Sequence, residues 1–279
     1  MEVFAIKPIH TEPAVMSASE AEFDSWHWDY YDIEDMHSAG YTGRGVSIGV
    51  VDTGVPQHVD IDVFNGFDAR RGFSPQGNNK FDVDQHSTHV SGIIGARHDG
   101  KGTRGVMIEP KLHIAKGLGD NGSGSLADII RAGDLLASQG VKVCNLSLGW
   151  NGKMPLSFDE AIKRWYKSGM IVVAAAGNDG KHDHLDNPSK HPLVVCAGSH
   201  DKNGNRSTFS DTGDMLDVYG PGDRVLSTYG REQYQIMSGT SMSTPFVAGL
   251  IAVFYKHIVQ KYGKITVDII GDLLIEKRI

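Results

Sequence analysis

The chain has only two cysteines in 279 residues, Cys144 and Cys196. Each sits inside an apolar, strand-like run (141–146 and 193–197). That argues against a disulfide framework and for reduced core residues. No block of basic residues is present and the net charge is −7, which argues against a nucleic-acid surface. No uninterrupted apolar stretch reaches the roughly 18 residues of a membrane span. The N-terminus lacks the charged-then-apolar order of a secretion signal. These absences lead us to expect a cytoplasmic protein with neither a membrane nor a nucleic-acid partner. Repeats, low-complexity tracts and interdomain linkers are missing too, so one large domain is expected.

What is present alternates. Apolar runs at 46–51, 111–116, 141–148, 170–176 and 193–198 read as buried strands. Helical stretches are expected at 26–39, 86–95, 126–139 and 158–168. Strands that alternate with helices imply right-handed crossovers, hence a three-layer α/β/α sandwich with a mostly parallel sheet. Residues 1–21 mix Pro8 and Pro13 with polar residues and show no period, so they read as an arm preceding a domain at 22–279.

Four short stretches carry chemistry. Ser238-Gly239-Thr240-Ser241-Met242-Ser243-Thr244-Pro245 brings a serine out of an extended segment into an apolar helix. A hydroxyl at a helix N-terminus suits nucleophilic attack. Alone, it reads equally well as an N-cap serine in a glycine-rich turn. Val50-Val51-Asp52-Thr53-Gly54 puts Asp52 at the carboxyl end of a central strand, where open α/β sheets hold ligands. Such an aspartate is more commonly a turn or cap residue. In His86-Ser87-Thr88-His89-Val90-Ser91-Gly92 the small residues let a helix pack closely. Two histidines three apart also suit a metal, but no HExxH glutamate accompanies them. Ala174-Ala175-Ala176-Gly177-Asn178 ends a strand in residues small enough for the Asn178 amide to reach a neighbouring centre.

Taken together and in this order, the four stretches resemble the blocks of the subtilisin-like serine proteases, and the likeness runs from about residue 22 to the end. The resemblance implies a serine endopeptidase in which Ser241 attacks a carbonyl, His86 carries the proton and Asp52 orients the imidazole. It implies that Asn178 and the Ser241 N–H hold the oxyanion. Two positions depart from the family pattern. Ser87 stands where a glycine is usual and Ser243 where an alanine is usual, both small enough to be tolerated. The chain also ends at Ile279, sooner than the family's further strand and helix. A peptide-binding pseudoprotease, or a transpeptidase or macrocyclase using the same acyl-enzyme, stays open as an alternative.

The resemblance further implies that a protein or peptide substrate lies as an added strand between Gly122-Ser123-Gly124 and Ser147-Leu148-Gly149. Leu126 is then expected at an apolar S4 subsite, and Ala175 and Gly177 on a wall of S1. Asp84 and Asp186, if both face the cleft, would favour basic residues near the scissile bond. A structural calcium ion is expected on the loop 96–104, held by Asp60 and Asp99, by the carbonyls of Arg97, Lys101 and Thr103, and by Glu22. His182, His184 and His191 read as a solvated polar loop. The arm resembles the short extension of the intracellular subtilisins, with Ile6-Lys7-Pro8-Ile9 as an element that lies in the cleft uncut. It is expected to act as the chain's own inhibitor.

Overall fold

The segment Ser47–Asp52 is apolar on both faces and forms the middle of the molecule, covered above and below. A computed structural model describes residues 2–5, 9–12, 16–17, 22–70 and 80–276. In chain order its strands are β1 (Glu2–Ala5), β2 (His10–Thr11), β3 (Met16–Ser17), β4 (Ser47–Asp52), β5 (Val63–Asp68), β6 (Lys111–Lys116) and β7 (Ser123–Ser125). There follow β8 (Val143–Leu146), β9 (Leu148–Gly149), β10 (Ile171–Ala175), β11 (Val194–His200), β12 (Val218–Pro221), β13 (Val225–Tyr229) and β14 (Gln233–Ser238). The helices are α1 (His27–Tyr30), α2 (Ile33–Ser38), α3 (His86–Gly95), α4 (Leu126–Ser138), α5 (Leu156–Lys167), α6 (Thr240–Tyr262) and α7 (Val267–Glu276).

Seven strands form one parallel sheet in the order β12-β11-β10-β8-β4-β6-β5. Helices α3 and α6 pack on one face, α4 and α5 on the other, which makes the expected three-layer α/β/α sandwich. Strand β4 shows how the layers are built. Ile48 and Val50 enter the core shared with Val90, Ile94 and Phe246, whereas Val51 enters the opposite core with Ile129, Leu136 and Trp165. Gly49 is fixed by packing, because a Cβ there would sit 2.8 Å from Leu136 Cδ1.

On the outer face, Ser125 caps α4 by accepting the Asp128 N–H at 3.2 Å, and Ile129, Ala132, Gly133 and Leu136 form the buried stripe. The Trp165 ring of α5 lies over Gly133, where a Cβ would be 2.2 Å from it. On the inner face every residue of α3 is buried. A Cβ at Gly92 would stand 2.1 Å from Thr228 Oγ1 on β13, so only glycine allows this approach.

Helix α6 alone among the described residues is long and apolar enough to cross a membrane by length and composition. Its mean hydropathy is 1.4 over an 18-residue window, but 72% of that window is buried within the protein. Thr240, Ser241, Ser243, Thr244 and Pro245 interrupt its apolar composition, so no unbroken apolar run marks it in the sequence. Beyond it, α7 returns to the core through Val267 and Ile270. The stretch 26–39 forms two short helices, α1 and α2, with Asp32 between them in the left-handed region at φ 48°. Cys144 and Cys196 are free and buried, and burial pushes both thiols up to about 12.

The arm makes sheet contacts of its own. Strand β1 runs antiparallel between β7 and β9, with Glu2, Val3 and Phe4 opposite Ser125, Gly124 and Ser123. On its other side Phe4 and Ala5 lie opposite Gly149 and Leu148. Strands β2 and β3 then pair antiparallel with β14.

Candidate active site

Asp52 ends β4, and His86 opens α3 directly above it. The two meet through His86 Nδ1 and Asp52 Oδ1 at 2.7 Å, with side chains 3% and 0% exposed. The same Asp52 oxygen accepts the Thr53 N–H at 2.7 Å. Burial opposes the charged imidazole most strongly, but Asp52, with Asp84 and Asp82 behind it, outweighs burial and leaves the His86 pKa raised. Nδ1 is committed to Asp52, and Nε2 is buried with no hydrogen-bond partner among the described residues.

Asp82 was not singled out by the sequence, yet it assembles this corner. Its Oδ1 accepts from Thr53 Oγ1 at 2.8 Å and Gln85 N at 3.0 Å. Its Oδ2 accepts from Thr88 N at 2.7 Å and Thr88 Oγ1 at 2.6 Å. The carboxylate thus caps the first turn of α3 and ties it to the residue after Asp52. A capping acid four residues before His86 is the signal that was available. Lys116 was also missed. It lies opposite Asp52 in the β4–β6 register, is fully buried, and donates to the Thr53 carbonyl and to Asp120 Oδ1 at 2.8 Å. A lysine closing an otherwise apolar strand was its trace in the sequence. His89, one turn on, is a core residue: its Nε2 meets the Gln235 carbonyl at 2.9 Å, and burial lowers it to about 3.

Ser241 is the second residue of α6, after the extended Gly239. Its hydroxyl lies 3.4 Å from the Ser147 carbonyl, just past the end of β8, the strand beside β4. Pro245 sits one turn further and has no N–H to give the Ser241 carbonyl. Ser147 Oγ donates to that carbonyl instead, at 2.9 Å, and is itself held by Asn145 Nδ2 at 3.0 Å. Asn178 follows β10. Its Oδ1 accepts from Thr240 N and Thr240 Oγ1, both at 2.9 Å. A backbone N–H fixes which end of the amide is oxygen, so Nδ2 points away from Thr240. Ser243 donates to the Gly198 carbonyl and accepts the Gly220 N–H at 3.1 Å. Ser87 is buried, and its N–H donates to Thr53 Oγ1 at 3.1 Å.

The two segments expected to hold substrate, Gly122-Ser123-Gly124 and Ser147-Leu148-Gly149, flank one groove, and β1 occupies it. Leu126 is half-buried at its edge, beside Ile130. Ala175 and Gly177 are buried. Asp84 is half-buried and close enough to favour the charged form of His86. Asp186 turns toward Asp211 and His184, packing against Gly177; burial, then Asp211, raises it to about 6. Of the expected blocking element, Ile6, Lys7 and Pro8 lie outside the described residues. Ile9 is exposed and its N–H donates to the Ser238 carbonyl at 2.8 Å. Arg224 pairs with Glu12, and Gln235 Nε2 donates to the Glu12 carbonyl at 2.7 Å.

The residues expected to hold calcium gather around Gly102, which bridges Glu22. Several of their oxygens are already engaged. Asp60 accepts the Tyr234 hydroxyl, Asp99 accepts Lys101 N at 3.2 Å, and Glu22 accepts Gly100 N at 2.9 Å. The Arg97 side chain pairs with Asp62, and Thr103 is buried. Arg104 supplies positive charge among Glu22, Asp24 and Glu34, stacked 3.9 Å over Trp28. A calcium ion takes six to eight oxygens, so the carbonyls of Arg97, Lys101 and Thr103 and the second oxygens of Asp60 and Asp99 would have to supply most of its shell.

An Asp–His pair, a helix-borne serine and an oriented amide at one edge of a parallel sheet are the parts of an acyl-transfer centre. The family model described as the Subtilase family matches residues 43–277. Subtilisin Savinase of Lederbergia lenta is 36% identical over 217 residues, covering 78% of this chain and 78% of that protein. Subtilisin DY of Bacillus licheniformis is 35% identical over 236 residues, covering 82% of each. The Minor extracellular protease Epr of Bacillus subtilis (strain 168) is 33% identical over 231 residues. The match takes in 83% of this chain but only 35% of Epr, so the chain spans about a third of that relative. The chain belongs to the subtilase family of serine endopeptidases.

Proposed function

We propose that this chain hydrolyses peptide bonds through an acyl-enzyme on Ser241. His86 Nε2 takes the Ser241 hydroxyl proton as Oγ bonds to the carbonyl carbon. It then gives that proton to the leaving amine as the C–N bond breaks. Water repeats the sequence and releases the acid. Asp52 keeps Nδ1 protonated and stabilises the imidazolium, while Asn178 Nδ2 donates to the oxyanion. The observation that carries this reading is the buried pairing of His86 Nδ1 with Asp52 Oδ1 at 2.7 Å, which turns Nε2 away from Asp52, with the Asn178 amide oriented by Thr240 at the start of the helix that bears Ser241.

The arm then acts as an inhibitor in cis. Its support is the seat of residues 2–5 between the two segments where a substrate strand would pair, together with the full burial of Ser241 and near-full burial of His86. We further infer that the Arg104 network steadies the loop 96–104 in place of a calcium ion.

The test is labelling by a fluorophosphonate, read by intact mass, on the full chain, on a form lacking residues 1–21 and on Ser241→Ala. The expected result is labelling that requires Ser241 and rises when the arm is removed. Equal labelling with and without the arm would discard the inhibitor. No labelling of the folded, shortened form would make the chain a peptide-binding pseudoprotease.

A further inference from the structure

Behind Gly177 lies a group of side chains for which the reaction has no use. Asp211 is 1% exposed; its Oδ1 accepts the Lys181 N–H at 2.7 Å, but its Oδ2 finds no donor among the described residues. His184 Nε2 and Asp186 Oδ1 are buried beside it, 3.9 Å from one another and without a hydrogen bond among the described residues. Asp179 completes the set: one oxygen takes the Lys181 ammonium at 2.6 Å. Ligand atoms from Asp179, His184 and Asp211 lie within 4.8 Å of one another, the one such group among the described residues. A buried carboxylate oxygen without a donor is costly, and Asp211 Oδ2 stands beside an imidazole and a carboxylate that share only a 3.9 Å contact, a setting that suits a cation. Burial raises both Asp186 and Asp211, and each carboxylate adds to the crowding of negative charge.

We propose that Asp179, His184 and Asp211 bind one divalent cation of the zinc type, with Asp186 or water as the fourth ligand. The imidazole decides the class, because calcium and magnesium prefer oxygen throughout whereas zinc takes mixed nitrogen and oxygen sets. Tetrahedral bonds of about 2.0–2.1 Å put ligands about 3.4 Å apart. The set therefore closes by roughly an ångström, which the exposed Asp179 and half-buried His184 permit. Bound there, the cation clamps the 179–186 loop to Asp211. The Asp211 N–H in turn donates to the Gly177 carbonyl at 3.1 Å, and a Cβ at Gly177 would be 2.3 Å from Asp211 Oδ2. The clamp thus stands directly behind the residue that precedes Asn178. Its influence on the pocket rests on the function proposed above; the binding itself does not.

The test is calorimetric titration of full-length Ser241→Ala, which cannot digest itself, with zinc, manganese and calcium chlorides in turn. Asp211→Asn and His184→Ala are added to that background, and His182→Ala serves as a control on the same loop. Circular dichroism checks that each is folded. One zinc per chain is expected at micromolar or tighter affinity, weakened at least tenfold by His184→Ala and by Asp211→Asn, and unchanged by His182→Ala. Absence of zinc binding up to millimolar, equal loss with His182→Ala, or indifference to His184→Ala would overturn the site. Calcium binding as tight as zinc would overturn the cation class. Because no readout uses activity, failure here is distinct from failure of the fluorophosphonate labelling.

Discussion

Thr240 holds Asn178 twice, through its amide and its hydroxyl, both 2.9 Å from Oδ1. The residue before the proposed nucleophile thus aims the amide proposed to hold the oxyanion. Replacing Asn178 by Ala should lower kcat by roughly 10²–10³, the range known for the corresponding asparagine of subtilisin, a member of this family, with KM little changed. Thr240→Val keeps the amide donor and loses the hydroxyl. One net hydrogen bond of about 1 kcal/mol then predicts a loss in kcat of about five-fold. Steady-state kinetics of the arm-deleted form on a peptide amide measure both.

The raised His86 pKa places the acid limb of the activity profile above the ordinary histidine value of 6.5. The imidazole must be neutral to accept a proton, so kcat/KM falls as pH drops through that limb. Asp84 favours the imidazolium, and Asp84→Asn should therefore move the limb to lower pH at low salt. The shift should shrink at high salt. A shift to higher pH would contradict the assignment.

Lys116 is fully buried and holds the Thr53 carbonyl beside Asp52. Lys116→Met leaves that carbonyl and Asp120 without their donor, and should cost on the order of 2 kcal/mol in unfolding free energy. Urea unfolding of the Ser241→Ala background measures it without self-digestion.

Removing residues 1–8 alone should raise turnover of a small peptide as much as removing 1–21, because only β1 lies between β7 and β9 while β2 and β3 rest on β14. Unchanged turnover in both forms would sink the inhibitory reading. A rise seen only with the longer deletion would shift the inhibition onto β14.

If Arg104 does the work of a cation on the loop 96–104, then Arg104→Met should lower the unfolding free energy by about 2 kcal/mol, through lost carboxylate pairs and lost contact with Trp28. Millimolar calcium should leave Tm unchanged in an Asp211→Asn background. A rise of several degrees there would restore calcium to the loop.

The sheet and the main site residues were legible because each is announced locally. Asp52 closes an apolar strand, His86 opens a helix of small residues, and Ser241 follows a glycine turn. What was not legible depends on partners distant in sequence. Lys116 looks like the frayed end of a strand until the register sets it opposite Asp52. Asp211 is an ordinary loop acid until folding buries it behind Gly177. The arm shows no period because its strands, two to four residues long, borrow their hydrogen bonds from β7, β9 and β14. The tie between Asp60 and Tyr234, 174 residues away, is equally invisible in the sequence.

The proline in α6 leaves a wider mark than a missing hydrogen bond. Through it, the carbonyl of Ser241 is tied to Ser147, the first residue of one wall of the groove. The proposed nucleophile and the backbone proposed to pair with a peptide are therefore gauged from the same joint, deep in the core. A change in the surface loops around the groove would leave that joint, and the spacing it sets, in place.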